Sequence, residues 1–100
     1  MAVNAQRRKH ERYSVDREVT VEIGGQRLQG QLVDVSDGGA FVRLSIDVEL
    51  GEEVMLALAD EPVEAHADVR RVTGNGFAIR FDEETVGRIM QEAARNADKD

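Results

Sequence analysis

The stretch Leu32-Val33-Asp34-Val35-Ser36-Asp37-Gly38-Gly39-Ala40-Phe41-Val42 sets two apolar runs on either side of a cluster of turn-forming residues. Asp and Ser side chains bond nearby backbone amides, and glycine turns the chain without steric cost. The runs are too short for helices and rich in β-branched residues, so the stretch predicts strand, tight turn, strand. Upstream, Val15, Val19, Val21 and Ile23 fall on odd positions with mostly polar residues between them, as in a half-buried strand. Gly24-Gly25 is a two-residue hairpin signal, and Leu28, Gly30 and Leu32 resume the alternation behind it. Downstream, Ala40–Leu44 is a strand, Leu50-Gly51 a turn, and Val54, Leu56 and Leu58 alternate in a further strand. Asp60-Glu61-Pro62 breaks the pattern, since proline does not belong in a central strand. Val63 to Val72 is a longer strand, Gly74-Asn75-Gly76 a turn, and Phe77 to Phe81 alternates again.

The period then changes. Val86, Ile89, Met90, Ala93, Ala94 and Ala97 recur at the spacing of one helix face. Asp82 is the expected N-cap, with Glu83 and Glu84 favourably placed in the first turn. About six short strands and one terminal helix predict a mostly β protein, a small antiparallel barrel with the helix packed on it. The expected organisation is a single domain over 1–100: a flexible basic arm at 1–12, the barrel at 13–82 and the helix at 83–97.

Composition narrows the function classes. With 41% hydrophobic residues the chain can build a core, and four aromatics without tryptophan make that core aliphatic. The absence of cysteine excludes disulfides and thiolate metal sites, and agrees with a cytoplasmic setting. No apolar run approaches the length of a membrane span, and the N-terminus lacks a signal-peptide stretch. Charge is uneven. The formal net charge is −7, yet residues 1–17 hold five Lys/Arg against two acids, leaving a net of −10 on the remainder. Affinity for long DNA or RNA grows with the phosphates neutralised, so a chain this acidic is expected to bind neither. A small anion held by the local basic cluster is compatible with it, as is an arm that only solubilises the terminus.

Two motifs carry chemistry. Arg8-Lys9-His10-Glu11-Arg12 is an RxxxR. Each guanidinium is a planar fork of donors suited to phosphate oxygens and to the O6/N7 edge of guanine, and it stacks on bases. The bland alternative is a solvated basic arm. Asp34-Val35-Ser36-Asp37-Gly38-Gly39 is a DxSxxG. In an extended segment Asp34 and Ser36 share a face. There the carboxylate can accept from guanine N1–H and N2–H2, while Gly38 and Gly39 allow positive φ and close backbone approach. The bland alternative is a plain hairpin turn.

In this order, flanking a β-rich domain, the motifs resemble those of the PilZ domain, and the resemblance covers nearly the whole chain. LVDVSDGGAFV is similar to the family's most recognisable line, and Gly74-Asn75-Gly76-Phe77-Ala78-Ile79-Arg80-Phe81 to its penultimate glycine-then-strand segment. The resemblance implies a six-stranded antiparallel barrel and a receptor for cyclic di-GMP, the bacterial second messenger. It assigns Arg8 and Arg12 to phosphate and the guanine Hoogsteen edge. It has Asp34 and Ser36 hydrogen-bond a guanine, and Gly39 give room at the turn. Arg7, immediately before the motif, favours an intercalated pair of ligands over a single one. Arg71, on the strand leading to the Gly74 turn, is an extra candidate contact, with an exposed strand residue as its plain reading. The family's usual outlets are motility, adhesion, exopolysaccharide and biofilm control, and an unknown downstream protein is expected to receive the signal.

No other constellation competes. His10 and His66 are the only histidines, and without cysteine a metal site would need both to converge with carboxylates, which is not expected. Ser36 lacks a nucleophile-elbow setting, and no Walker loop or dinucleotide fingerprint appears. Glu52-Glu53, Asp60-Glu61 and Glu83-Glu84 sit at turns or a helix start, where solvation and capping explain them. The expectation is a non-enzymatic protein without metal or other cofactor. A PilZ-fold protein-interaction module independent of nucleotide is the alternative, and a small hydrolase lacks a general base.

Overall fold

The computed structural model describes residues 12–96 of the chain, and residues 1–11 of the expected 1–12 arm lie outside the described residues. Six strands follow in order: β1 (Tyr13–Ile23), β2 (Gln26–Val35), β3 (Gly39–Arg43), β4 (Glu53–Leu58), β5 (Glu64–Thr73) and β6 (Gly76–Phe81). One helix, α1 (Glu84–Asn96), ends the chain's described part. Every pairing is antiparallel, and the strands close on themselves in the order β1-β2-β3-β6-β5-β4. The expected six-stranded antiparallel barrel with a C-terminal helix is the architecture found.

The alternation seen in the sequence fills the barrel. Val19, Val21 and Ile23 of β1, Leu56 of β4, Val69 of β5 and Phe77 of β6 point inward and are buried. Met90 and Ala94 of α1 join the same core, so the helix closes one side of it. Ile23 pairs with Gln26 across a two-residue loop, and Gly24 and Gly25 have φ of 60° and 83°. A tight hairpin whose twist suits its strands requires positive φ at both central positions, which explains the glycine pair.

Two irregularities position the site. On β2, Leu32 faces Val42 of β3 but Asp34 faces Phe41, so Val33 is an extra residue in the ladder. That bulge lets Leu32 and Val35 both point inward while Asp34 turns out of the barrel. On β1, Ser14 pairs with Asp34 and Arg17 with Leu32, so β1 also carries an extra residue there. Arg17 lands on the inner face and is 7% exposed.

The helix corrects three sequence-based expectations. It starts at Glu84 rather than at 83 and is described to Asn96, the expected end at Ala97 lying outside the described residues. The Gly87 N–H donates to the Glu83 carbonyl, the first bond of the helix, so the N-cap position is Glu83 and not Asp82. The Asp82 N–H instead continues the barrel's bonding by donating to the His66 carbonyl. The buried face is also rotated. Gly87, Met90 and Ala94 face the core, whereas Ile89, expected inside, is 53% exposed. Glycine is the reason: a Cβ on Gly87 would overlap the Asp37 carbonyl oxygen and come within 2.7 Å of Phe81 Cδ2. The helix seats itself where it can come closest.

Candidate ligand site on the outer barrel wall

Arg12 and Asp34 are 22 residues apart in sequence, and the fold brings them into contact. Arg12 enters β1 just before Tyr13, and β1 pairs with the end of β2 where the bulge has turned Asp34 outward. The Arg12 Nη1 donates to Asp34 Oδ1 at 2.9 Å. Both side chains are part-exposed, 40% and 30%. An ion pair in such a setting is worth about 0–1 kcal/mol, so a competing ligand can exchange it cheaply. One end of each motif therefore meets the other on the outer wall. Arg7 and Arg8 lie outside the described residues.

The rest of the DxSxxG segment serves the turn. Ser36 is buried, and its hydroxyl donates to the Gly39 carbonyl at 3.3 Å. The same oxygen accepts the N–H groups of Gly38 and Gly39 at 3.2 and 3.1 Å. The Ser36 N–H donates to the Gly39 carbonyl at 2.8 Å, and the Phe81 N–H to the Gly38 carbonyl at 2.9 Å. The role the geometry supports for Ser36 is thus to lock the turn that carries Asp34. Gly39 does not have positive φ; a Cβ there would overlap the Ile79 carbonyl oxygen. Its function is close approach of β3 to β6 rather than conformational freedom.

Arg71 is exposed on the outer wall of β5. It belongs to a lateral row that runs from Ser14 through Asp34, Phe41 and Ala78 to Arg71. Three inter-strand steps separate it from Asp34, about 14 Å at the usual strand spacing. The fold places Arg71 on the same wall as the Arg12–Asp34 pair without bringing it to the pair.

The sequence reading missed four residues around this site. Gly87 seats α1 on the carbonyl of Asp37, inside the motif turn. An isolated glycine within a helical pattern is the signal that could have revealed it. Arg17 donates to the carbonyls of Ala93 and Ala94 at 3.3 and 3.0 Å and to the Asp60 carboxylate. Its signal was a charged residue on an odd, inward position of β1. Tyr13 next to Arg12 lies under the Arg95 guanidinium, 3.8 Å from its ring centroid. Both ends of α1 are thereby fastened near the motifs. The fourth is Phe41, directly across from Asp34.

A cavity of about 480 Å3 lies elsewhere, under the β1–β2 hairpin tip, lined by Gly24, Gly25, Glu53, Met55 and His66 among others. It touches neither motif, and the chemistry of the motifs outweighs its volume as a guide to the site. Among the described residues no cluster of three His, Asp or Glu could hold a metal ion, and no helix is long and apolar enough to cross a membrane.

Residues 6–93 match the sequence profile of the family described as PilZ domain. A comparison with curated proteins finds no match. Among solved structures, the Bacillus subtilis inhibitor of motility MotI/DgrA superposes with a TM-score of 0.71 at 19% identity, over 94% of this chain and 53% of that one. The chain thus spans about half the length of that relative. The PilZ domain of Escherichia coli YcgR, solved with c-di-GMP, gives 0.68 at 19% identity over 95% of this chain and 100% of that one. Borreliella burgdorferi PlzA, solved in complex with c-di-GMP, gives 0.66 at 16% identity over 89% and 43%.

Proposed function

The chain belongs to the PilZ domain family, and from that premise we propose that it is a receptor for cyclic di-GMP which relays the messenger to a partner protein. The observation that carries this reading is the Arg12–Asp34 contact, which joins the RxxxR to the DxSxxG on one exposed wall. The c-di-GMP complexes of the YcgR PilZ domain and of PlzA support the choice of ligand.

The chemistry follows from the side chains. On binding, the Arg12 fork exchanges the Asp34 carboxylate for ligand phosphate or for guanine O6 and N7. Asp34, released, accepts from guanine N1–H and N2–H2. Charge is conserved in kind: a guanidinium keeps an anionic partner and a carboxylate keeps donors. Arg7 and Arg8 supply further forks for the two phosphates, and Arg7 favours an intercalated pair of ligands. Ser36 and Gly39 hold the turn against β6 so that Asp34 stays aimed outward. The basic segment is thereby explained by a small dianion, and the acidic barrel repels long nucleic acid.

Isothermal titration of cyclic di-GMP into the protein, with GTP as control, tests the reading. Micromolar or tighter binding is expected, weakened roughly tenfold or more by Arg8→Ala or Asp34→Ala, since each removes charge-assisted hydrogen bonds. Absence of heat for the wild type sinks the receptor reading and leaves a PilZ-fold interaction module independent of nucleotide. Turnover of the ligand would point instead to an enzyme.

Output is the surface that forms when residues 4–13 fold over the barrel rim onto the bound ligand. Ordering costs about 1–2 kcal/mol per residue in backbone entropy, which several charge-assisted bonds offset. Hydrogen exchange at residues 4–13 is expected to slow on saturation with ligand. Unchanged exchange there would remove the relay while leaving the binding intact. A bacterial, cytoplasmic setting and a motility, exopolysaccharide or biofilm outlet fit this role.

A further inference from the structure

Of the four aromatic residues, three have structural work. Phe77 and Phe81 are buried in the barrel core, and the Tyr13 ring holds Arg95. Phe41 does none of this. It points out of β3 between the inward Ala40 and Val42, and belongs neither to the core cluster nor to the partly buried residues packed against it. It is the residue paired with Asp34 on one side and with Ala78 on the other.

Glycine again decides the local shape. Gly76 pairs with Arg43, two residues along β3 from Phe41, and a Cβ built on Gly76 would come 2.9 Å from Phe41 Cζ. The ring tip therefore rests in the space that a side chain at 76 would fill. Phe41 is only partly buried, so part of the ring stays open to solvent. Directly opposite residues on adjacent strands stand about 5 Å apart at Cβ, so the Phe41 side chain starts from the position next to Asp34. Arg43 and Arg80 lie on the same wall, exposed, each two residues from Phe41 or from its partner Ala78.

We infer that Phe41 is the stacking platform for the guanine whose edge Asp34 accepts. The inference rests on the nucleotide reading above and adds a specificity-determining residue to it. A purine held edge-on by Asp34 and lying along the wall covers the Phe41 ring. Asp34 then selects guanine by its donors, and Phe41 supplies affinity through a flat π-face. Apolar contact alone would be served equally by leucine; stacking would not.

The chain contains no tryptophan, so Phe41→Trp installs a single reporter at the proposed contact. Cyclic di-GMP is the probe, with wild type, Phe41→Trp, Phe41→Leu and Asp34→Ala titrated side by side. Phe41→Leu is expected to weaken binding by about tenfold to a hundredfold, the usual loss of one base–aromatic stack. Phe41→Trp should bind within about threefold of wild type, with its emission quenched as ligand is added. Wild-type affinity in Phe41→Leu, or tight binding to Phe41→Trp with unchanged emission, overturns the platform even if Asp34→Ala abolishes binding. Failure of the folded wild type to bind overturns the receptor reading, and the platform with it. Thermal melts of the variants guard against loss of fold, and Phe41→Trp keeps an aromatic ring should Phe41→Leu not fold.

Discussion

Arg17→Ala is expected to lower stability by roughly 3 kcal/mol, the cost of leaving buried carbonyls without a donor and of losing the packed side-chain stem. In a domain of this size that moves the melting temperature down by on the order of 15 °C. The reasoning starts at the end of α1. The last carbonyls of any helix lack partners within it and carry the negative end of its dipole. Arg17 meets both needs, donating to the Ala93 and Ala94 carbonyls from a site that is 7% exposed. Its third partner, Asp60, is 67% exposed and contributes little. Arg17→Lys keeps the charge but not the fork, and should fall between the two. Denaturant titration measures the loss, and hydrogen exchange should show α1 opening first. A melting temperature within a few degrees of wild type would mean that the helix end is held by apolar packing alone.

Gly87→Ala is expected to destabilise by about 2 kcal/mol, opposite in sign to the effect of the same change in an ordinary helix. Alanine gains about 1 kcal/mol of helix propensity over glycine. Here its methyl group would overlap the Asp37 carbonyl oxygen and crowd the Phe81 ring at 2.7 Å. The oxygen belongs to a turn locked by Ser36, so it does not move cheaply. Overpacking of this kind costs about 1–3 kcal/mol, occasionally more, and here it must also cancel the propensity gain. Because the displaced atom lies within the DxSxxG, ligand affinity should fall together with stability. A Gly87→Ala protein with a higher denaturation midpoint than wild type would show that α1 does not sit on the turn.

Much of the barrel was legible because its strands obey one rule. Inward apolar residues at every second position, from Val19 to Ile23 and from Val54 to Leu58, leave little choice of structure. The Gly24-Gly25 hairpin was legible for a similar reason, since few sequences tolerate two positive φ angles in succession. The helix face was not, because apolar periodicity counts Ile89 and ignores Gly87, whereas packing rewards the residue with no side chain. Nor does sequence alternation say what an inward arginine does. Arg17 stood in the β1 pattern, but its acceptors lie 76 and 77 residues further on. The motif residues were legible through a family resemblance. Their contact was not, since it depends on the Val33 bulge that turns Asp34 out. Ser36 shows the converse: its hydroxyl, two residues from Asp34, is expected as a ligand group, and the fold also employs it within its own turn, which the sequence did not reveal.

The ring of strands also sets a problem of self-association. β4 pairs with β1 only from Val19 onward, so residues 14–17 of β1 have β2 on one side and no described strand on the other. Main-chain donors and acceptors in that position are a template for a foreign strand. The last turn of α1 is fastened there by Arg17 and by Arg95 over Tyr13. The helix thus acts as a guard over backbone that no described strand pairs, and its latch bears on whether one copy of the chain can recruit the next into a growing sheet.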